Sequence, residues 1–243
     1  MKSALTGCLI LLAVCISTVY GQSEPQAGSR KIGSVFRSPQ IPGWLMPGEA
    51  DLRNYEIYLD RSVKKTGEQS VSLKAHSSES SAPGSTILIQ YVRAVSYNNR
   101  RVRLTAFVKS EGASRANLFV RMDGDGMIVM NEDHMPNRQI TGSTDWTEYQ
   151  IVLDVPSGAQ QLVLGIQLTG SGQIWVDDMR FEIVGESVPV TGIKDVNEIQ
   201  AGSAAFIDRY KQSQSAAYGQ QLAAFLKRSE SLPDIPQNLD FEN

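Results

Sequence analysis

The chain has 243 residues, with 23 Lys and Arg against 26 Asp and Glu and a formal net charge of −3. That mildly acidic balance supplies no electrostatic footprint for nucleic acid over the whole surface. Both cysteines, Cys8 and Cys15, lie near the amino end, so the rest of the chain has no disulfide, thiolate metal site or cysteine nucleophile.

Residues 1–21, "MKSALTGCLILLAVCISTVYG", read as a secretory signal peptide: a leading lysine, an apolar run from Cys8 to Ile16, and small residues where a signal peptidase cleaves. The mature protein is then exported, periplasmic or extracellular. No segment is apolar over enough residues to predict a membrane span. Residues 22–31, polar with Pro and Gly, form a flexible lead-in.

From 32 to 185 the pattern is that of strands. Candidates are Tyr55–Asp60, Ser70–Ala75, Thr86–Val92, Arg101–Lys109, Asn117–Met122, Met127–Asn131, Trp146–Asp154, Gln161–Leu168 and Gly172–Gly185. In "RVRLTAFVK", Val102, Leu104, Ala106 and Val108 alternate with Arg101, Arg103, Thr105 and Lys109; in "QLVLGIQL", Leu162, Leu164, Ile166 and Leu168 alternate with Val163, Gly165 and Gln167. Each of these strands is expected to have one wet face. Many short strands without intervening helices predict an all-β, two-sheet antiparallel sandwich.

Within this region "DGDG" (123–126) reads as a hairpin turn in which Gly supplies positive φ, since an EF-hand needs further acids that are missing. "NEDHM" (131–135) reads as a polar loop; a catalytic use of Glu132 or Asp133 with His134 lacks a nucleophile-elbow serine. In "GQIWVDDMRFEIVG" (172–185), simple alternation puts Trp175, Asp177, Met179, Phe181 and Ile183 on the core face. The core face then carries a carboxylate, which must find a hydrogen-bonded or metal partner.

Residues 186–243 form a tail of different character. Asp195 with Glu198 is a capping-box arrangement that opens an Ala-, Gln- and Leu-rich stretch. Gly202 and Gly219 weaken it, predicting one interrupted helix or two short ones. The two prolines of "LPDIPQNLDFEN" hold an extended approach to a short final strand.

The blocks "PGW" (42–44), "TGEQSVSL" (66–73), "NRRVRLTAFVK" (99–109), "TDWTEYQIVLDVP" (144–156), "GQIWVDDMRFEI" (172–183) and the terminal "NLDFE" (238–242) resemble those of a known family. The family is the galactose-binding-like jelly rolls of bacterial exported and regulatory proteins, relatives of carbohydrate-binding modules. The resemblance implies a jelly-roll sandwich, here followed by a helical tail, and a non-catalytic binding role with carbohydrate or cell-envelope glycan as ligand. Two rival readings are a structural or protein-interaction module, whose helical tail docks a protein partner or a second copy in a homo-oligomer, and a sensor domain of a regulatory or stress-response system. In the family an "NLDFE"-like segment opens the module, whereas here it comes last. It either begins a further module or supplies the missing first strand from the far end, in which case Leu239 and Phe241 are buried.

The resemblance also implies one structural Ca²⁺, held by the carboxylates of Glu242 and Asp177, with Asp178 adjacent, and by carbonyls of the loop 67–70. The alternative is that Asp177 accepts hydrogen bonds from backbone amides or an arginine. Sugar recognition needs rings for stacking beside amides and charges for hydroxyls. The candidate ligand face is Tyr97, Asn99, Arg101, Arg103 and Arg121; Trp44 and Trp146 are expected to cap the core.

Overall fold

The computed structural model describes residues 41–46, 54–76, 84–192 and 195–243. The expected signal peptide 1–21 with both cysteines, the expected lead-in 22–31 and the start of the expected jelly-roll region lie outside the described residues. Eight strands follow: β1 Tyr55–Asp60, β2 Ser70–Ala75, β3 Ser85–Arg93, β4 Arg101–Asp123, β5 Val129–Asp133, β6 Ile140–Asp154, β7 Gln161–Thr169 and β8 Gln173–Val184. Two helices, α1 (Val196–Ser213) and α2 (Ser215–Ser231), complete the order.

All strand pairs are antiparallel, in the order β1-β2-β8-β4-β7-β3, with β5 and β6 also paired to β4. The first half of β4 pairs with β6 and β8, and its second half with β5 and β7. A strand of 23 residues spans roughly 75 Å if straight, at about 3.3 Å per residue, far more than one layer of a small domain. β4 therefore bends, and its pairing with β6 shifts register between Val108 and Ala116. It passes from one layer into the other, so the sheet is continuous in hydrogen bonds while the core lies between two faces. The two strand candidates 101–109 and 117–122 are thus halves of one strand. Gly112, at φ +57, permits the irregular stretch that joins them.

The core holds Val102, Leu104, Ala106 and Val108 from the first half of β4, Leu118, Val120 and Met122 from the second, and Leu162, Leu164, Ile166 and Leu168 from β7. Each buried branched aliphatic contributes roughly 1.5–3 kcal/mol relative to exposure. The opposite face of β7 is not wet as expected. Val163 packs with Ile89, Tyr91 and Phe119, and Leu232 from the tail closes over this second cluster. Period-2 alternation reports only the side facing the main core; the second cover arrives from distant sequence.

β8 departs from simple alternation. Ile174 and Val176 enter the core, then Met179 and Phe181, so two residues intervene where one was expected. Phe107 pairs with Asp177 and Thr105 with Arg180, leaving one extra residue on β8: a bulge, with Asp178 at φ 48. Trp175 and Asp177 therefore face away from the main core, and Ile183 is 40% exposed. Asp177 is buried nonetheless, under the loop between β1 and β2.

The "DGDG" segment is the β4–β5 hairpin turn, with Gly126 at φ 65. Asp195 caps α1 by accepting from the Asn197 and Glu198 amides at 2.8 and 3.4 Å. The tail forms two helices, parted at Gln214 (φ −145, ψ 55). Their apolar stripe has a core within this chain: Ile199 packs on Val129, and Ile207 and Phe225 on Met127. α1 also satisfies backbone groups of β5, the Ser203 hydroxyl accepting from Val129 N at 2.7 Å and Gln200 donating to Met130 O at 3.1 Å.

The terminal segment adopts no strand, yet Phe241 is fully buried and stacks on Trp44, ring centroids 5.2 Å apart. Leu239 is half-buried against the same core. Trp44 caps the core as expected, whereas Trp146 is only half-buried.

Candidate functional site

The Asp177 carboxylate grips the loop that covers it. Oδ2 accepts from Lys65 N at 2.6 Å and Thr66 N at 2.9 Å, and Oδ1 from Asp178 N at 2.7 Å. Burial pushes the carboxyl above its ordinary value, against the downward pull of these three amides. Glu242 holds the other end of the loop, Oε1 accepting from Glu68 N at 2.8 Å and Gln69 N at 3.3 Å. A Cβ at Gly67 would push this carboxylate aside, and the φ of +59 favours glycine there. Asp178 turns outward to Arg180, 2.7 Å away.

This geometry bears on the expected Ca²⁺. A calcium shell needs six to eight oxygens converging on one point, whereas the loop aims N–H donors at both carboxylates. Among the described residues no group of three or more His, Cys, Asp or Glu is placed to hold a metal ion. Asp177 and Glu242 as arranged anchor the loop through its N–H groups, while Asp178 faces Arg180.

The residues expected to form a ligand face are not brought together as one. Tyr97 is 7% exposed and packs edge-on against Phe181, centroids 5.3 Å apart. It belongs to the core, and burial raises its hydroxyl pKa, with Asp234 adding to the shift. Asn99 takes a left-handed turn conformation at φ 60 and donates its N–H to Val155 O. Arg101 forms a bidentate pair with Asp154 at 2.7 and 2.9 Å, and donates to Glu186 O and Val188 O. It pins the chain leaving β8. Arg103 pairs with Glu182, its register partner across β4–β8. Arg121 lies on the second half of β4, beyond the bend, paired with Asp123 at 2.9 Å. Alternation places these arginines off the core correctly, but the bend in β4 separates Arg121 from the others.

Arg121 has other company. On its face of the second layer, Asn117 stands opposite Gln167, Phe119 opposite Gly165, and Arg121 opposite Val163 on one side and Glu132 on the other. His134 lies over Phe119, the rings 5.3 Å apart and 7° from parallel. Its Nε2 is 3.2 Å from Glu132 Oε2. Tyr91 extends the set toward β3, where the Arg228 guanidinium sits 4.2 Å from its ring centroid. The face thus combines stacked rings, amide side chains at facing register positions and opposite charges. Phe119, Asn117 and Gln167 form a closed floor, 4%, 5% and 8% exposed, while the His134 side chain keeps 29% and forms the more exposed edge of the face. Sequence reading reached Arg121 and flagged Glu132 and His134 as a polar loop; it missed Phe119, Asn117 and Gln167, which alternate with core residues and look like an ordinary second face. Asp133 faces elsewhere, accepting from Met135 N, Thr191 Oγ1 and the Arg138 guanidinium.

Fold and site together define an antiparallel β jelly roll with a two-helix tail and a mixed aromatic and polar face on one layer. No family model matches the chain. A curated relative, the "Uncharacterized HTH-type transcriptional regulator YbfP" of Bacillus subtilis (strain 168), is 35% identical over 165 residues. The match covers 68% of this chain and 55% of that protein, so the chain spans about half the length of this curated relative.

Among solved structures, the CBM22-1 xylan-binding domain of Paenibacillus barcinonensis Xyn10C is similar at 16% identity and TM-score 0.44, over 58% of this chain and 86% of that one. TmCBM61 in complex with β-1,4-galactotriose is similar at 13% identity and TM-score 0.40, over 59% and 90%. Likenesses at these identities and scores assign neither family nor ligand to the chain. No helix among the described residues is long and apolar enough to cross a membrane.

Proposed function

We propose that the chain is an exported, non-catalytic carbohydrate-binding module whose ligand is a cell-envelope glycan. The observation that carries this reading is the stacked Phe119–His134 pair beside Asn117 and Gln167, register partners on β4 and β7. Sugar C–H faces stack on flat rings, here the partly exposed His134 imidazole over Phe119, and the Glu132 carboxylate beside it suits a hydroxyl group. A catalytic reading of "NEDHM" loses support because Asp133 is committed to Arg138 and Thr191. The test is a glycan array followed by calorimetry on His134→Ala. We expect affinity to fall about tenfold, with stability changed by no more than about 1 kcal/mol, as for a partly exposed side chain. An array without retained glycans, or an unchanged affinity in the variant, rejects the reading.

The regulator-named relative favours a second reading, in which the same face is the ligand sensor of a regulatory protein. Cell fractionation with amino-terminal sequencing separates the two. A processed chain outside the cytoplasm supports the exported module; an unprocessed cytoplasmic chain whose removal alters transcription supports the sensor.

A further inference from the structure

The segment Gln237–Asn243 is held as a bound peptide is held. The Gln90 side-chain amide reads both backbone groups of Gln237, Oε1 accepting its N–H at 2.6 Å and Nε2 donating to its carbonyl at 2.8 Å. Trp44 Nε1 donates to Asn238 O at 2.9 Å, Met179 N to Leu239 O at 3.2 Å, and Gln69 Nε2 to Phe241 O at 2.6 Å. The Phe241 ring fills an apolar pocket against Trp44, and the Glu242 carboxylate takes the amides of Glu68 and Gln69. All of these partners except Met179 lie more than a hundred residues away in the chain.

The connection before this segment is held far more lightly. Ile235 is 66% exposed, and Pro233 and Pro236 keep the stretch extended. Its polar ties come from Arg93, through an N–H bond to Pro233 O and an ion pair with Asp234 at 3.4 Å that is 67% exposed on the acid. Releasing the tail at this hinge breaks little beyond the tail contacts themselves. Those contacts re-form identically when the same segment arrives from another molecule, so only the effective concentration of the attached tail favours the closed form.

We propose that the groove lined by Trp44, Gln69, Gln90 and Met179 is a docking site for residues 237–243 of a second copy of this chain, so that two copies exchange tails in a swapped dimer. The inference is independent of the glycan reading. Full-length chains carrying two different affinity tags, unfolded together and refolded at rising concentration, should co-purify as soluble dimers in growing yield. Excess free peptide QNLDFEN present during refolding should lower that yield at least tenfold by filling the groove. The same peptide with alanine in place of its phenylalanine should leave the yield unchanged. Tags that never co-purify overturn the proposal, as does a dimer yield that does not respond to the intact peptide.

Discussion

Asp177 and Asp178 are neighbours with opposite situations. Asp177 is fully buried and accepts three backbone amides; replacing one oxygen by NH₂ sets a donor against donors. Asp177→Asn should cost about 1–3 kcal/mol, the range for a buried polar group left unpaired. Asp178 pairs with an Arg180 side chain that is 63% exposed and has φ 48, a conformation asparagine tolerates well. Asp178→Asn should therefore lie within about 0.5 kcal/mol of wild type. Denaturant titrations of both variants check this, and equal losses would reject the assignment. The Asp177 pKa is raised above 3.8, so its contribution is full below the unfolded-state value and declines as pH rises through the folded one. The gap between wild type and Asp177→Asn should therefore narrow as pH rises above 3.8. Tyr97→Ala belongs to the same scale. With Tyr97 buried against Phe181, the loss should be about 3 kcal/mol or more in thermal or chemical unfolding; a loss below about 0.5 kcal/mol would return Tyr97 to the surface.

Two elements depend on backbone groups being met by distant side chains. α1 lies along β5, and Ser203 accepts from Val129 N in a buried site. Ser203→Ala should cost about 1–2 kcal/mol by orphaning that amide, and hydrogen exchange at Val129 should accelerate. Unchanged exchange would show that the helix merely rests on the strand. The loop between β1 and β2 is pinned at both ends by carboxylates that accept amides. If those bonds are the loop's anchorage, a strong chelator should leave the melting temperature unchanged and added Ca²⁺ should not raise it. A rise with calcium would mean that the loop turns its carbonyls inward and binds the cation after all.

At the scale of the molecule, strand positions, the hairpin at "DGDG", the cap at Asp195 and the inward set of β7 were legible from the sequence. Each depends on contacts within a few residues: alternation, glycine's positive φ, or a side chain reaching its own helix. The bulge at Asp178 was not legible, because one inserted residue in β8 is defined only against its partner β4. For the same reason the helical tail, which one rival reading docked on a partner, has its own core in this chain at Met127 and Val129. The burial of Leu239 and Phe241 follows from apolar alternation in "NLDFEN", yet the groove that takes them joins residues 44, 69, 90 and 179. The candidate face likewise exists only where β4, β5 and β7 are in register, setting Asn117 beside Gln167 and Phe119 beneath His134. The amino-acid sequence by itself determined which segments become strands and helices and the residue types along each face, since those follow from local periodicity and capping. Only the tertiary structure decided which faces meet, which carboxylate holds which loop and where the tail docks, because those depend on registers between segments far apart in the chain.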